Sequence, residues 1–524
     1  MRQRIVRHVG IADDPGELLR LRELSEYLIV QMESERQPDL FDPAEKVAAK
    51  LASSADDSEE HIPVNLKNLR EEKRVIKGIS DVYGKIYNEL GFDNIITGKH
   101  NATVRERIKH MVLARIAQPA SKRSSVALLE NDFGISLSLD AVYRSMDAFT
   151  DIAIERMQKS VFNATQQLLP IPAHVVFYDC TTLYFESFEE DELKQNGYSK
   201  DGKFNQAQVL LAMMVTPEGL PLGYELFPGS TFEGHTLRQA LLQLKERFNL
   251  ERVVFVADRG LLSHENLTLL ETCGLEYVVG ARLKSLPKKS TTTILDHTQY
   301  QDSKDRALAD RIMEFSHKNR RILVSYNEKR ARKDQHDRDE AIAKLKKKLA
   351  KSKQTKSLVS NSGYRKFLQM SGESTLTVDE NKIADAARWD GLQGFITNIR
   401  ETPVEEILSH YRSLWHIEEA FRVTKHHLEA RPIYHWSPRR IRAHIAICYM
   451  AFACVTHLRY RVSLQKERMS VDVIRNALMH AQISILKDIK TGDRFAVPSN
   501  TSPQADQIYR AMGMRWSDVP YRLP

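Results

Sequence analysis

The chain of 524 residues contains only four cysteines, and their arrangement excludes two common structural frameworks. Cys180, Cys273, Cys448 and Cys454 are scattered and form no CxxC pair, so neither a disulfide scaffold nor a structural zinc site is expected. The sequence also lacks internal repeats and low-complexity tracts. These absences favour a globular protein of a reduced, intracellular compartment.

Long apolar segments are missing as well. Residues 1–14 are charged and contain no apolar core of the kind that a secretory leader needs. The longest apolar run extends from Ile445 to Val455, which is too short to span a bilayer. It predicts a helix buried inside the protein, and no membrane partner is expected.

Basic residues outnumber acidic ones. The formal net charge is +8 and the isoelectric point is about 9.0, which favours a polyanionic partner such as nucleic acid. Many basic proteins never bind nucleic acid, so charge alone does not assign a function.

Residues 1–168 are predicted to form a mainly helical region. In the segment 104–117 the apolar residues share one face, which leaves Arg105, Arg107, Lys109 and Arg115 for solvent or phosphate. Ser121 and Ser138 begin further short helices with basic flanks. Such helices can form a helix-turn-helix that binds the ends of a DNA element, and a plain helical bundle is the alternative.

The hydrophobic pattern changes after residue 168. Two continuous apolar runs, 174–178 and 253–257, are typical of buried strands, and they end in Asp179 and Asp258. Further strands are predicted in 207–227, 276–283 and 390–399. The predicted organisation begins with the helical region, 1–168. A sheet domain follows in two parts, 169–283 and 389–460, with an insertion, 284–388, between them. The C-terminal region, 461–524, would serve dimerisation or DNA contact.

The segment 405–428 is predicted to form one amphipathic helix. One stripe is apolar and should face a core, and the neighbouring stripe is polar and aromatic. The apolar stripe comprises Leu414, Ile417, Phe421 and Leu428. The polar and aromatic stripe comprises Tyr411, Trp415, Glu418, Arg422 and Lys425. An ordinary ion pair between Glu418 and Arg422 on a solvated face is the alternative interpretation.

Asp179, Asp258 and Glu418 are the candidate catalytic residues. Three acids brought together at the edge of one sheet would need cations between them to stay ionised. A pair of Mg²⁺ ions, for which Mn²⁺ can substitute, suits oxygen ligands and serves phosphodiester displacement. Each aspartate alone is also a common turn or helix-cap residue.

Three motifs resemble those of DDE transposases of the IS4 superfamily, in its IS1634-like branch. They are VVFYDCT around Asp179, VFVADRGLLS around Asp258, and YRSLWHIEEAFRVTK around Glu418. The resemblance covers roughly residues 75–430. Tyr411, Glu418 and Lys425 fall on the family signature, whereas its arginine position holds Leu414.

The resemblance implies an α/β fold with a ribonuclease H-like catalytic domain, a mixed sheet flanked by helices and interrupted by an insertion. It implies catalysis by Asp179, Asp258 and Glu418 with two divalent ions. Tyr411 and Lys425 would hold phosphates near the cleaved end, and Arg412 or Arg422 would supply the missing guanidinium.

The expected partners are terminal inverted repeats and target DNA, bound by a homodimer on paired ends in the cytoplasm of a prokaryotic cell, at the nucleoid. The resemblance also implies that the insertion handles a flipped base, on which Trp389 or Trp415 would stack unless they belong to the core.

Three other functions fit parts of the sequence. A metal-dependent nuclease or resolvase on the same fold would cleave without strand transfer. A non-catalytic DNA-binding protein derived from a transposase would bind without metal. A basic helical scaffold would need neither of the two strand–aspartate units, so their presence disfavours it.

Overall fold

The fold was examined in a computed structural model. It describes residues 64–98, 101–171, 174–186, 188–199, 205–248, 253–351, 365–371, 375–465 and 468–523, together with Ser25 and Gly202. The chain divides into two compact units, Met1–Leu69 and Arg70–Pro524, and the elements discussed below belong to the second. The apolar pattern of 16–32 predicts a helix, and the small, polar and acidic segment 52–61 predicts an exposed linker. Ser25 apart, both segments lie outside the described residues.

A strand and five helices precede the central sheet. Side chains of Ser121, Ser138 and Thr150 accept backbone N–H groups at the starts of three of the helices, and Gly134, with φ of 69°, ends one of them. The elements are β1 (Leu69–Ile76), α1 (Gly78–Glu89), α2 (Ala102–Ala117), α3 (Lys122–Phe133), α4 (Leu139–Met146) and α5 (Asp151–Leu168).

The first part of the central sheet follows: β2 (Val175–Tyr184), β3 (Gln208–Val215), β4 (Pro221–Pro228), α6 (Glu233–Phe248), β5 (Val254–Ala257), α7 (His264–Thr272) and β6 (Glu276–Ala281). β2, β3 and β4 form an antiparallel meander. β5 pairs with β2 in parallel, and β6 pairs with β5 in parallel. The order β4-β3-β2-β5-β6, with three antiparallel strands followed by two parallel ones, is the ribonuclease H-like arrangement.

The predicted insertion contributes strands to the same sheet. Its elements and the strand that follows are α8 (Lys288–Ile294), β7 (Gln301–Asp302), β8 (Arg311–His317), β9 (Arg320–Tyr326), α9 (Glu328–Lys351), β10 (Leu368–Ser371), β11 (Thr375–Val378), α10 (Glu380–Ala387) and β12 (Leu392–Thr397). β12 pairs with β6 and β9, which extends the sheet through β9, β8 and β7 to nine strands. Part of 284–388 therefore continues the sheet, and the proposed domain boundaries stay a prediction.

The segment 405–428 is not one helix. It forms α11 (Val404–Arg412), a turn at Ser413 and Leu414, α12 (Trp415–Arg422), and a π-helical turn at Val423–His427. The prediction of a continuous helix was wrong because periodicity of apolar residues survives a two-residue turn. The π turn is also a known irregularity that changes side-chain spacing without breaking the helical path.

The C-terminal part holds α13 (Pro438–Ser463), α14 (Val471–His480), β13 (Gln482–Asp488), β14 (Arg494–Pro498), α15 (Pro503–Ala511) and β15 (Tyr521–Leu523). The strands form a second sheet in the order β1-β13-β14-β15. α13 is the one described helix long and apolar enough to cross a membrane, and 94% of its most apolar window is buried within the protein. It is a core helix, as the apolar run 445–455 predicts.

Two apolar cores lie on opposite faces of the central sheet. Val175, Phe177, Val254 and Val256 belong to the first core, together with α11, α12 and α13. Val176, Tyr178, Phe255 and Ala257 belong to the second core, with α6 and α7. This alternation along each strand is the period of two that a sheet buried on both faces requires. The predicted fold class, a mixed sheet flanked by helices, is confirmed.

Candidate active site

Asp179 and Asp258 occupy equivalent positions on neighbouring strands. In the parallel register of β2 and β5, Tyr178 lies opposite Ala257, so the two aspartates are the next residues along each strand. Adjacent strands are about 4.8 Å apart. Because Tyr178 and Ala257 face the second core, the alternation places both aspartates on the face of the first core. Two carboxylates that are 79 positions apart in sequence thus lie side by side in the fold.

Local backbone groups stabilise both carboxylates. Asp179 Oδ1 accepts the N–H of Cys180 at 2.7 Å, and Asp258 Oδ1 accepts the N–H of Arg259 at 2.6 Å. Asp258 is exposed, whereas Asp179 is half-buried. The turn function that a lone aspartate can have is therefore present at Asp258, which caps the short 3₁₀ helix Arg259–Leu261.

Tyr411, at the end of α11, reaches Asp258 from the helical layer. Its hydroxyl donates to Asp258 Oδ1 at 3.4 Å. Burial first, and then the Asp258 carboxylate, raise the pKa of Tyr411 well above its ordinary value, so the hydroxyl keeps its proton. Space for it exists because residue 280 is a glycine: a Cβ there would lie 2.6 Å from the Tyr411 hydroxyl oxygen.

Glu418 lies on α12, which packs against β2 and β3 on the same face of the sheet. Its neighbour Ile417 is fully buried in the first core, and the Glu418 side chain is exposed. Within the part of the chain that the structure describes, no group of three or more His, Cys, Asp or Glu residues is arranged to hold a metal ion. The fold thus brings the two aspartates together and places Glu418 on the helix above them, without joining it to them.

Glu419 is engaged elsewhere. Its carboxylate pairs with Arg422 on the same helix and, at 3.1 Å, with Nη1 of Arg459 on α13. Its side chain is only 14% exposed. This ion-pair network ties α12 to the core helix, so Glu419 has a structural task and Glu418 is the acid left facing solvent.

The other predicted DNA-contact residues lie around α12. Arg412 is exposed at the end of α11, and Arg422 is exposed but paired with Glu419. Lys425 lies in the π turn and is half-exposed. Leu414, at the signature arginine position, packs against the first core, which accounts for an apolar residue there. Because a turn separates Tyr411 from Glu418, the spacing of seven does not place these residues on one continuous helix.

A basic cleft that sequence patterns did not identify opens beside Asp258. Its volume is about 960 Å³, and it extends from Tyr411 to residues of the predicted insertion. The basic residues that line it come from four separate segments: Arg259, Arg282, Lys284, Arg330, Arg338 and Lys366. Two of them, Arg330 and Arg338, lie on the lysine-rich helix α9 and precede most of its lysines.

The two tryptophans considered for base stacking differ in environment. Trp389 lines the cleft, packs against the second core, and lies 5.4 Å from the Nζ of Lys284, measured to its ring centroid. Trp415 is 54% exposed and stacks on His416. Trp389 is therefore the one that borders both the core and the cleft.

The carboxylate set suits a hard cation. Asp179 and Asp258 offer only oxygen donors from adjacent positions, which fits Mg²⁺ or Mn²⁺ better than zinc. Cys180 points to the opposite face with Tyr178, where burial raises the pKa of its thiol to about 12, so it offers no thiolate.

Comparison with known proteins gives one strong result. The family described as "Transposase DDE domain" matches residues 171–454, more than half of the chain. No curated protein matches. Among solved structures, the piggyBac transposase synaptic complex with hairpin DNA is similar with a TM-score of 0.42 and 9% identity, over 78% of this chain and 82% of that one.

The Mos1 transposase paired-end complex with the left transposon end has a TM-score of 0.16 and 14% identity, over 47% of this chain and 70% of that one. The Mos1 mariner paired-end complex with Mn has a TM-score of 0.15 and 13% identity, over 50% and 78%. These scores are low, and the assignment follows from the family match. The matched segment contains Asp179, Asp258 and Glu418, and the chain belongs to the family of proteins with a DDE transposase domain.

Proposed function

We propose that this protein is the transposase of a prokaryotic insertion sequence, of the IS4 superfamily and its IS1634-like branch. It cleaves the ends of its element in a metal-dependent reaction and transfers the freed 3′-hydroxyl into target DNA by cut-and-paste. In strand transfer, the 3′ oxygen forms a new bond to a target phosphorus while the target's own P–O3′ bond breaks.

One observation carries the proposal. The β2–β5 register sets Asp179 beside Asp258 at the edge of the sheet, and α12 with Glu418 packs over the same face. An isolated turn aspartate has no reason to be paired in this way with a second one on a neighbouring parallel strand. The family match supports a role in transposition.

Asp179, Asp258 and Glu418 would hold two Mg²⁺ ions, with Mn²⁺ as a substitute. Bound ions of this kind activate a water and stabilise the leaving oxygen of a phosphodiester. Glu418 is exposed, so it can approach the aspartates without first leaving a buried pair. Its neighbour Glu419 keeps α12 attached to α13 during such a movement.

Tyr411 acts through Asp258. Because its hydroxyl stays protonated, it donates a hydrogen bond and holds one carboxylate oxygen in place. Arg412, Arg422 and Lys425 would contact DNA phosphates beside the cleaved end. The basic cleft next to Asp258 would take the strand that continues past this point, since its lining carries six cationic side chains and four aspartates. Arg330 and Arg338 are paired with two of those aspartates, which leaves Arg259, Arg282, Lys284 and Lys366 as the cations that would contact phosphate.

The partners proposed are double-stranded DNA, as terminal inverted repeats and as target, and a second copy of the chain on the paired end. Residues 1–168 would bind the element ends, and 461–524 would serve dimerisation or DNA contact. The protein would act in the cytoplasm, associated with the nucleoid.

The test is Mg²⁺-dependent cleavage and strand transfer with DNA that carries the terminal inverted repeats flanking the gene. Asp179→Asn, Asp258→Asn and Glu418→Gln should each lower cleavage at least ~10³-fold, since losing a metal ligand removes several kcal/mol of transition-state stabilisation. End binding should be largely kept. Full cleavage by Asp179→Asn or Asp258→Asn would refute the carboxylate site.

The same assay separates the alternatives. Cleaved ends without joined products would indicate a nuclease or resolvase on the same fold. End binding that needs no metal and leads to no cleavage would indicate a DNA-binding protein derived from a transposase.

A further inference from the structure

A second cavity lies where α2 and α3 meet the segment that connects the π turn to α13. Its volume is about 330 Å³. It is called the basic cavity here, and its lining residues include four cations, one carboxylate, two histidines and two tyrosines: Arg115, Lys122, Arg123, Arg431, Glu429, His435, His444, Tyr143 and Tyr434.

Two of the cations are buried and have no acidic partner among the residues that the structure describes. Lys122 is 4% exposed, and its Nζ lies 3.4 Å from Nδ1 of His444. Arg115 is 3% exposed; its Nη1 donates to the carbonyl oxygens of Leu428 and Glu429 at 3.2 and 3.1 Å. Its Nε, which is also buried, has no hydrogen-bond partner among the described residues. The sequence leaves Arg115 for solvent or phosphate, and its burial corrects the first of these two alternatives.

Such an arrangement is costly unless an anion joins it. Burying a cation without a counter-charge is one of the most unfavourable events in folding. Burial, and then the charge of Arg115, lower the pKa of Lys122 to about 7. Burial, and then the charges of Lys122 and Arg115, lower the pKa of His435 to about 3. The lining of the basic cavity thus sets four cations against one carboxylate, that of the exposed Glu429.

The start of α3 adds to the positive potential. α3 has 12 residues, and its N-cap Ser121 accepts the N–H of Ser124 at 3.2 Å. The hydroxyls of Ser121 and Ser124 lie 3.0 Å apart at the cavity. The N–H groups and the dipole at the start of a helix favour an anion, and the start of α3 lines the same cavity as Lys122 and Arg115.

We propose that the basic cavity binds a phosphate group. Its size exceeds that of one phosphate, so the group can carry a sugar or be accompanied by water. Tyr434, at 60% exposure, lies among the lining residues and offers a ring on which a base can stack. The phosphate can come from DNA or from free inorganic phosphate. The DNA source rests on the proposed function, and binding of the group itself does not.

The first measurement uses inorganic phosphate. Thermal unfolding of the full chain is followed at pH 7 in chloride buffer, with and without phosphate at equal ionic strength. Phosphate should raise the Tm of the wild type, and Lys122→Met should weaken phosphate binding at least ~10-fold, as loss of a charge-assisted contact does. Lys159→Met, which removes an exposed lysine of α5 outside the cavity, should bind like the wild type.

The phosphate-free stability of Lys122→Met gives a second readout. Removing an unbalanced buried cation should leave the Tm unchanged or raise it, whereas a merely structural lysine would lower the Tm when replaced. Should Lys122→Met fail to fold, Arg123→Gln, which changes an exposed lining residue, serves instead. No phosphate-dependent Tm rise in the wild type beyond that in chloride would overturn the proposal.

The second measurement uses a duplex that carries an element end. If the phosphate belongs to DNA, Lys122→Met should reduce the slope of log K against log salt by about 1, and Lys159→Met should not. If phosphate binding is lost and the DNA slope is unchanged, the cavity takes free phosphate. If the wild type does not cleave the element ends, the proposed function is refuted, and the result with inorganic phosphate still stands.

Discussion

The carboxylate site at the sheet edge and the basic cavity beneath α3 hold opposite charges in opposite ways. Asp258 is exposed and accepts a backbone N–H, whereas Lys122 is buried beside another cation. Each aspartate accepts a backbone N–H, and Asp258 is also exposed to solvent, in the absence of any ligand. Arg115 donates to two backbone carbonyls, but its Nε has no hydrogen-bond partner and neither it nor Lys122 has an acidic partner among the described residues.

Because one site is solvated and the other is buried, mutations at the two sites should have different effects. A solvated carboxylate needs no bound cation for the protein to fold, so mutations there should lower the reaction rate and leave the free energy of unfolding almost unaltered. A buried cation raises the free energy of the folded state until an anion arrives. Changes in the basic cavity should therefore appear in the free energy of unfolding, including a gain when the charge is removed.

The largest expected effect separates two adjacent acids. Glu418→Gln should lower the cleavage rate at least ~10³-fold with no change in the free energy of unfolding, because Glu418 is exposed. Glu419→Gln should retain cleavage and lower the free energy of unfolding by about 1–2 kcal/mol, because it breaks charged hydrogen bonds to Arg459 and Arg422. Both variants are compared with the wild type by cleavage rate and by urea unfolding. The opposite pattern would make Glu419 the metal ligand.

The next effect is a pH dependence of stability caused by Lys122. Its pKa is lowered to about 7 in the folded protein and is about 10.4 in an unfolded chain. Between these values the unfolded chain binds a proton that the folded protein has lost, so stability rises with pH. The wild type should gain about 2 kcal/mol between pH 7 and pH 9 relative to Lys122→Met, measured by urea unfolding in phosphate-free buffer.

Lys122 is the group in the basic cavity expected to carry this change. The charged and titratable residues that face it come from α2, α3, α4, the connecting segment and α13: Arg115, Arg123, Tyr143, Glu429, Arg431, His435, His444 and Cys448. Burial and the nearby cations keep the pKa of His435 and His444 low, so both stay neutral in this range. Equal pH profiles for wild type and Lys122→Met would contradict the assignment.

The two sites also differ in how far the sequence predicts them. Asp179 and Asp258 were predictable because each follows a continuous apolar run, and such a run indicates a buried strand from its own residues alone. Their adjacency depends on β2 and β5 pairing in parallel register, which the order of elements suggests and no single segment contains. The turn at Ser413 was missed because its residues do not disturb the apolar spacing on either side.

The basic cavity could not be predicted from local patterns. Arg115 lies on what periodicity marks as the polar face of α2, and it is buried because the segment around Leu428 covers that face. More than 300 positions separate the two. Likewise, β9 alternates as an ordinary strand, but only its pairing with β12 shows that residues of the predicted insertion extend the central sheet.

A smaller effect concerns how Tyr411 is held near the carboxylates. Gly280→Ala would place a Cβ 2.6 Å from the Tyr411 hydroxyl oxygen and 3.1 Å from the backbone nitrogen of Arg259, so Tyr411 must shift away from Asp258. Cleavage should fall about 10-fold, equivalent to about 1.4 kcal/mol. Tyr411→Phe removes the hydroxyl that the new Cβ would meet. Gly280→Ala should therefore lower the cleavage rate less in the Tyr411→Phe background than in the wild type. Additive rate losses would mean that the glycine acts independently of Tyr411.

The smallest expected effect compares two arginines beside the carboxylate site. Arg412 is exposed at the end of α11, whereas Arg422 is exposed but already paired with Glu419. A phosphate must compete with Glu419 for Arg422, so the net gain from that contact is smaller than from Arg412. Arg412→Gln should reduce the slope of log K against log salt for DNA binding by about 1, and Arg422→Gln by less. Equal reductions would mean that DNA displaces Glu419 from Arg422. The pair between Glu419 and Arg459 would still tie α12 to α13 in that event, so the loss of the Arg422 contact alone would not release the helix.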